Sequence, residues 1–273
     1  MADPEGAGRW IAAVALALGT VGTVATPAAA DPPRHHHHGR RHAPMNRVNL
    51  AAYRARVRVW HDGARVPTAR HTDDGRLVLR LVSLNTRTVA EVSPARPDGG
   101  FDETACAAIS RVMEDSRTHT VAPVDRRLVE VLYQVARHFD AGQVTVVSGY
   151  RAESRRSNHQ LGRAIDVVLP GVSDEALAAY ARTLGMVGVG VYPTGGFVHL
   201  DVRGASYFWV DGSGPGRSRR MHEVHGDLAR RADAMARARG VSPLGGTLGG
   251  TDPGADGADT ADERGDEDDA ARE

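Results

Sequence analysis

Apolar and polar positions alternate along residues 53–60, where Arg54, Arg56 and Arg58 interleave with Ala55, Val57 and Val59. A period of two predicts a half-buried strand there. Residues 77–84 and 88–92 predict a strand pair joined by a hairpin turn at Asn85-Thr86-Arg87. Over 102–116 the period lengthens, and Ala105, Ala108, Ile109 and Val112 fall on one helical stripe. A second helix is expected over 125–139, with Asp125 as N-cap, Pro123 just ahead of it, and Leu128, Leu132, Val135 and Phe139 inward. Short apolar runs at 144–147, 163–169, 187–192, 197–202 and 207–210 predict strands. Between them Ser173 caps a helix reaching Leu184, and residues 222–239 read as an Arg- and Ala-rich amphipathic helix. Helices come first and short strands follow, so the expected class is α+β: a small antiparallel sheet with packed helices and flexible tails.

Composition refines this picture in three places. The formal net charge is zero, so bulk charge gives no reason to expect a nucleic-acid partner. All 34 basic residues are Arg, and residues 251–273 hold ten Asp and Glu against two Arg, so the positive charge lies upstream. The one cysteine, Cys106, excludes an intramolecular disulfide, and its neighbours Ala105, Ala107, Ala108 and Ile109 mark it as a small buried side chain rather than a nucleophile.

The ends of the chain read differently from its centre. Residues 10–26 are apolar and small, and Pro27-Ala28-Ala29-Ala30 precedes Asp31, the pattern of a signal peptide over 1–30. Arg9 stands in its leading part together with Asp3 and Glu5, so an uncleaved anchor is the other reading. Residues 31–47, rich in Pro, His and Arg, form a linker, and its run His35 to His38 lacks the fixed surroundings of a metal site. The expected division is then a folded domain over 48–212, a helical extension over 213–240 and an acidic disordered tail over 241–273. An exported monomer of the periplasm or cell envelope is expected, with no stable membrane insertion after signal cleavage.

Three segments carry the chemistry: Ser148-Gly149-Tyr150-Arg151, Ser157-Asn158-His159-Gln160-Leu161-Gly162-Arg163-Ala164-Ile165-Asp166, and Phe197-Val198-His199-Leu200-Asp201. A catalytic zinc takes three protein ligands and keeps a fourth position open, and imidazole and carboxylate suit it. Asp166 lies among Ile165, Val167, Val168 and Leu169, where a carboxylate is costly unless paired or metal-bound. Strand alternation puts His199 and Asp201 on one face and Val198 and Leu200 on the other. Taken singly, a buried His is usually a hydrogen-bonded core residue, and a strand Asp can pair with one of many arginines. Together, the three point to one shared site.

The stretch Ser-x-His-x-x-Gly-x-Ala-x-Asp, followed downstream by His-x-Asp, resembles the M15 peptidases, which include D-alanyl-D-alanine carboxypeptidases and dipeptidases and share a fold with the Hedgehog signalling domain. It is similar in particular to the DUF882, or murein endopeptidase K-like, subgroup. There Ser-Gly-Tyr-Arg leads into the motif, and a phrase like Gly188-Val189-Gly190-Val191-Tyr192 precedes Phe197-Val198-His199-Leu200-Asp201-Val202-Arg203. The resemblance covers roughly residues 77–211. It implies a zinc metallopeptidase with Zn2+ held by His159, Asp166 and His199, acting on peptidoglycan peptide. It also implies that Arg151 binds substrate or a developing oxyanion, with Ser157 orienting His159 or capping its loop.

Several M15 enzymes carry Glu or Asp three residues before the last His, and here that position is Gly196. Asp201 is the substitute, either as general base or as a carboxylate that holds His199. His138 and Glu153 are weaker candidates for the site. Two rival readings follow: a non-catalytic, zinc-containing peptidoglycan-binding module, and an envelope-interaction protein working through residues 222–239 and the acidic tail.

Overall fold

The computed structural model describes residues 49–154, 157–214, 220–223 and 226–242. The leader, the linker and nearly all of the acidic tail lie outside these residues. No described helix is long and apolar enough to cross a membrane.

In chain order the elements are α1 (Leu50–Trp60), β1 (Leu79–Ser83), β2 (Val89–Val92), α2 (Glu103–Val112), α3 (Arg126–His138), β3 (Val144–Ser148), β4 (Ala164–Val168), α4 (Asp174–Arg182), β5 (Val187–Tyr192), β6 (Phe197–Val202), β7 (Tyr207–Asp211), β8 (Met221–Glu223) and α5 (Gly226–Ala238). The class is α+β, as the element pattern predicts. The sheet is larger than expected and mixed, with eight strands in the order β2-β1-β3-β4-β6-β5-β7-β8. Among the described strands, only the β1–β3 and β5–β7 pairs are parallel.

One face of the sheet is apolar and covered by helices. Val144, Val146, Ile165, Val167, Val189, Leu200 and Phe208 join Ile109, Leu128, Leu132, Leu177 and Ala232 in one buried cluster. Full burial of each such aliphatic side chain is worth about 1.5–3 kcal/mol. The caps Asp125 and Ser173 follow the sequence signals, and Asp102 caps as well: each accepts a backbone N–H of the first turn of α3, α4 and α2 respectively. Cys106 belongs to this apolar cluster, and burial pushes its thiol pKa up, as suits an inert core residue.

Three elements differ from expectation. Residues 53–60 form a helix, not a strand. Asn49 caps it by accepting from Ala52 N at 3.2 Å, and Tyr53 and Trp60 are its buried residues. The alternation of Arg with Ala and Val does not decide the element; Tyr53 and Trp60, seven apart and so on one helical face, are what the helix buries. α2 stops at Val112 because Asp115 turns the chain, its carboxylate accepting from the backbone N–H of Arg117, Thr118 and Ala152. Ahead of α5, residues 221–223 are a strand, since the open edge of β7 offers backbone partners to β8. α5 then buries Ala229, Ala232, Asp233 and Ala236 on one stripe. Asp233 accepts from Met186 N at 2.7 Å and from Ser206 N and Oγ, fastening α5 to the start of β5.

The other face of the sheet is polar at its centre. Asp166 pairs in register with His199, His199 with Gly190, and Gly190 with Trp209. Beside this row Tyr192, Phe197 and Val168 form a second cluster with Tyr53 and Trp60 of α1 and with Trp209.

Candidate metal centre

Each of the three ligand-type residues is placed by its own local structure. Asp166 is central in β4 and His199 central in β6, so their register decides their approach. His159 comes from a tight turn after the Ser148–Arg151 segment. Ser157 Oγ accepts from Gln160 N at 3.1 Å and donates to Ser154 O, so Ser157 caps the turn. Gly162 closes the turn at φ +66, and a Cβ there would lie 2.2 Å from Pro123 O; only glycine combines that conformation with that approach. Gly149 is similar in consequence: a Cβ would meet Met113 O at 2.5 Å, and the next residue, Tyr150, donates its N–H to the same carbonyl. The end of α2 thereby holds the segment that presents Gly149 O.

The side chains converge. One nitrogen of His159, one nitrogen of His199 and one oxygen of Asp166 all lie within 4.8 Å of one another, and the three residues are 0%, 0% and 1% exposed. Their remaining polar atoms are engaged elsewhere. His159 Nδ1 donates to Gly149 O at 2.6 Å, which leaves Nε2 to face His199 Nδ1 at 3.2 Å. Asp166 Oδ2 accepts from Arg151 Nη2 at 2.6 Å, which leaves Oδ1 at 2.9 Å from His199 Nδ1. His199 Nε2 donates to Asp201 Oδ2 at 3.0 Å. The atoms that point inward are therefore His159 Nε2, Asp166 Oδ1 and His199 Nδ1.

Electrostatics match this division. Burial lowers the His159 pKa to about 3, and the nearby Arg151 charge adds to the effect, so the ring is neutral. Burial would also lower the His199 pKa, but the Asp166 and Asp201 carboxylates outweigh it and raise the value to about 10. Burial alone would push the Asp166 pKa up, yet surrounding positive groups, Arg151 among them, hold it below the ordinary carboxylate range. Asp201 is likewise held low by Arg203 and His199. Without a metal the shared centre holds a proton on His199 Nδ1, between a neutral imidazole and a carboxylate. Two imidazoles and one carboxylate around a single buried positive charge are a donor set that fits a divalent metal ion.

Arg151 and Asp201 sit beside this set. Arg151 bridges Asp166 and Ser148, its Nε donating to Ser148 Oγ at 3.0 Å. Asp201 lies beyond the His199 ring, on the Nε2 side, and Arg203 Nε donates to its other oxygen at 2.6 Å. Asp201 is thus at the opposite edge of the ring from the inward-facing Nδ1, in hydrogen-bond contact with Nε2. Gly196, in the position where several M15 enzymes carry an acid, has φ +72 and its carbonyl oxygen lies 3.0 Å from His61 Nε2. His138 and Glu153 are not brought to the site. His138 stacks on Tyr180 with centroids 3.7 Å apart, and Glu153 pairs with Arg117 at the surface.

In the sequence Gly188, Gly190 and Arg203 figure only as part of the family's phrase, with no role assigned, and Trp209 carries no signal at all. Trp209 lies with its ring centroid 5.2 Å from that of His199 and donates its indole N–H to Tyr192 Oη at 3.1 Å. The glycines make the room: a Cβ on Gly190 would meet the Trp209 ring at 2.3 Å, and one on Gly188 would meet Asp201 Oδ2 at 2.0 Å. Two glycines at alternate positions in an otherwise apolar strand are a signal of close approach that could have revealed them.

Comparison with known proteins adds to this geometry. Residues 70–209, about half of the chain, match the model of a family described as peptidoglycan L,D-endopeptidase MepK. The chain is 29% identical over 140 residues to a probable peptidoglycan L,D-endopeptidase MepK of Haemophilus influenzae, covering 46% of this chain and 74% of that protein. It is 28% identical over 146 residues to the peptidoglycan L,D-endopeptidase MepK of Escherichia coli strain K12, covering 48% and 80%. No solved structure matches it. The matched stretch contains the whole side-chain constellation from Ser148 to Trp209, whereas α1, β8 and α5 lie outside it.

Proposed function

Because the chain belongs to the M15 peptidases, in the family described as peptidoglycan L,D-endopeptidase MepK, we propose that it is an exported, zinc-dependent hydrolase that cuts amide bonds in the peptide part of peptidoglycan. The α+β fold is consistent with the Hedgehog and D-alanyl-D-alanine peptidase fold that this family implies. Peptidoglycan lies outside the cytoplasmic membrane, so we infer a location in the periplasm or cell envelope.

The observation that carries the reading is the inward convergence of His159 Nε2, Asp166 Oδ1 and His199 Nδ1, with every outward atom of the three engaged by a separate partner. These three atoms would hold the zinc. Bound there, zinc would supply a Lewis acid that polarises a scissile carbonyl and lowers the pKa of water toward about 7. Gly149 O and Asp201 select which nitrogen of each histidine carries the proton, as partners of metal-bound histidines do. Arg151 keeps Asp166 ionised and places a fixed planar cation beside the ligand set, suited to steady negative charge on a carbonyl oxygen.

The test is digestion of purified crosslinked muropeptides with the zinc-loaded protein, with and without a chelator. L,D-crosslinked dimers, D,D-crosslinked dimers and uncrosslinked pentapeptides are compared. Cleavage of L,D crosslinks, lost with chelator and in His199→Ala, is the expected result. The second reading, a non-catalytic zinc-containing binding module, draws on two observations: Gly196 replaces the upstream acid, and Asp201 faces away from the inward atoms. Binding of zinc and peptidoglycan with no turnover of any substrate would establish that reading instead.

A further inference from the structure

His199, Asp201 and Arg203 alternate along β6 and just past its end, so all three project to the polar face of the sheet. Arg203 is 4% exposed and Asp201 is 0% exposed. A guanidinium and a carboxylate buried this far are costly to keep unless each satisfies the other. They do so with two prongs. Arg203 Nε donates to Asp201 Oδ1 at 2.6 Å, Arg203 Nη2 donates to Oδ2, and Oδ2 also accepts from His199 Nε2 at 3.0 Å.

The pair is held from several sides. The Arg203 guanidinium lies 5.8 Å from the ring centroids of both Tyr207 and Trp209. Arg203 N donates to Met186 O at 3.1 Å, which pins the main chain. On β5 the pair fills a notch that exists because residue 188 is glycine: a Cβ there would lie 2.0 Å from Asp201 Oδ2 and 2.6 Å from Arg203 Nη2.

We propose that Arg203, seated in the Gly188 notch, is a positioning residue of the metal site: its two-pronged hold aims Asp201 at His199 Nε2 and so commits Nδ1 of that ring to the metal. The inference rests on the reading that His159, Asp166 and His199 hold zinc. An imidazole presents one lone pair only when its other nitrogen carries the proton. A carboxylate free to swing would not enforce that choice. A guanidinium fork fixes both carboxylate oxygens in a plane, and an ammonium, as a point charge, fixes one. Arg203→Lys is therefore expected to retain part of the function, and Arg203→Met little.

The experiment uses the full-length chain with His35→Ser, His36→Ser, His37→Ser and His38→Ser in every sample, so that the histidine run adds no zinc. Zinc affinity is measured by chelator competition, and the protonated nitrogen of His199 in the zinc form by nitrogen-15 NMR of labelled histidine. Arg203→Met should weaken zinc by roughly ten- to a hundred-fold, the usual effect of losing an outer partner of a ligand, and should lose the single Nε2–H state. Arg203→Lys should fall between that variant and wild type. Gly188→Ala, with every polar partner retained, should weaken zinc in the same direction by crowding the pair out of its notch. Zinc affinity within twofold of wild type and an unchanged Nε2–H signal in Arg203→Met would overturn the proposal. Should that variant not fold, the same wild-type result in Arg203→Lys and Gly188→Ala would overturn it. His199→Ala is the control for the underlying reading: zinc binding that survives it refutes the ligand assignment, not the role of Arg203.

Discussion

Adding one methyl group to Gly190 tests how the centre of the sheet is built. The Cβ of Gly190→Ala would lie 2.3, 2.4 and 2.5 Å from Trp209 Cε2, Cζ2 and Nε1. Each distance is at least about 1 Å short of ordinary carbon contact, so the indole must move. It has little freedom. Trp209 is 2% exposed, its ring centroid lies 5.2 Å from that of His199 and 5.6 Å from that of Tyr207, and its N–H is bonded to Tyr192 Oη. Overpacking of this kind costs about 1–3 kcal/mol, and loss of the indole hydrogen bond adds about 1 kcal/mol. The total is about 2–4 kcal/mol. At about 2–4 °C per kcal/mol for a domain of this size, Tm should fall by about 4–16 °C. Differential scanning calorimetry measures this, with chelator competition on the same samples for zinc. Because the displaced ring borders His199, zinc affinity should weaken as well. A Tm within about 2 °C of wild type and unchanged zinc affinity would show that the indole yields freely and that the glycine is not needed for this packing.

Three further outcomes are expected. Elemental analysis should find one zinc per folded chain when the His35 to His38 run is replaced by serine, and His159→Ala or Asp166→Ala should remove it; retained stoichiometry would refute the ligand set. Zinc binding should expel a proton from His199, whose metal-free pKa is raised to about 10 from 6.5, while His159, at about 3, has none to lose at neutral pH. Apparent zinc affinity should then rise by up to tenfold per pH unit through the neutral range and level off near pH 10, and calorimetry in buffers of different ionisation enthalpy should count about one proton released at pH 7. The same raised pKa makes the His199 contribution to metal-free stability complete below about pH 6.5 and lost as pH rises through about 10. Finally, Asp233→Ala leaves Met186 N, Ser206 N and Ser206 Oγ without their acceptor, which should cost about 2–4 kcal/mol in thermal unfolding. An unchanged Tm would mean that α5 is not fastened to β5.

Periodicity alone located most of the sheet. β5 and β6 fall on the residues where apolar runs placed them, because a strand buried on both faces has no competing pattern to obscure it. The caps Asp125 and Ser173 were equally legible, since capping is a contact of a side chain with its own neighbours in the chain. Local pattern failed where the residues that pack are not the ones that alternate, as in α1, which buries Tyr53 and Trp60, and where an element exists only to complete another. β8 is a strand because the edge of β7 needs partners, and nothing within residues 221–223 says so.

The candidate centre divides in the same way. Asp166 and His199 stood out in the chain because a ligating residue is unusual in an apolar strand, with Asp201 on the same face as His199, whereas His159 and Arg151 were named through the resemblance to the M15 motif. The role of Asp201 could not be read there, because base and orienting carboxylate look alike in sequence. The structure adds its position: Asp201 stands on the Nε2 side of the His199 ring, with Arg203 donating to it. The notches at Gly188 and Gly190 belong wholly to the tertiary structure. A glycine in a strand records that space is needed, but what fills that space is decided by which strands pair, and in which register. Pairing depends on contacts between residues far apart in the chain, whose free energy no local window of sequence contains.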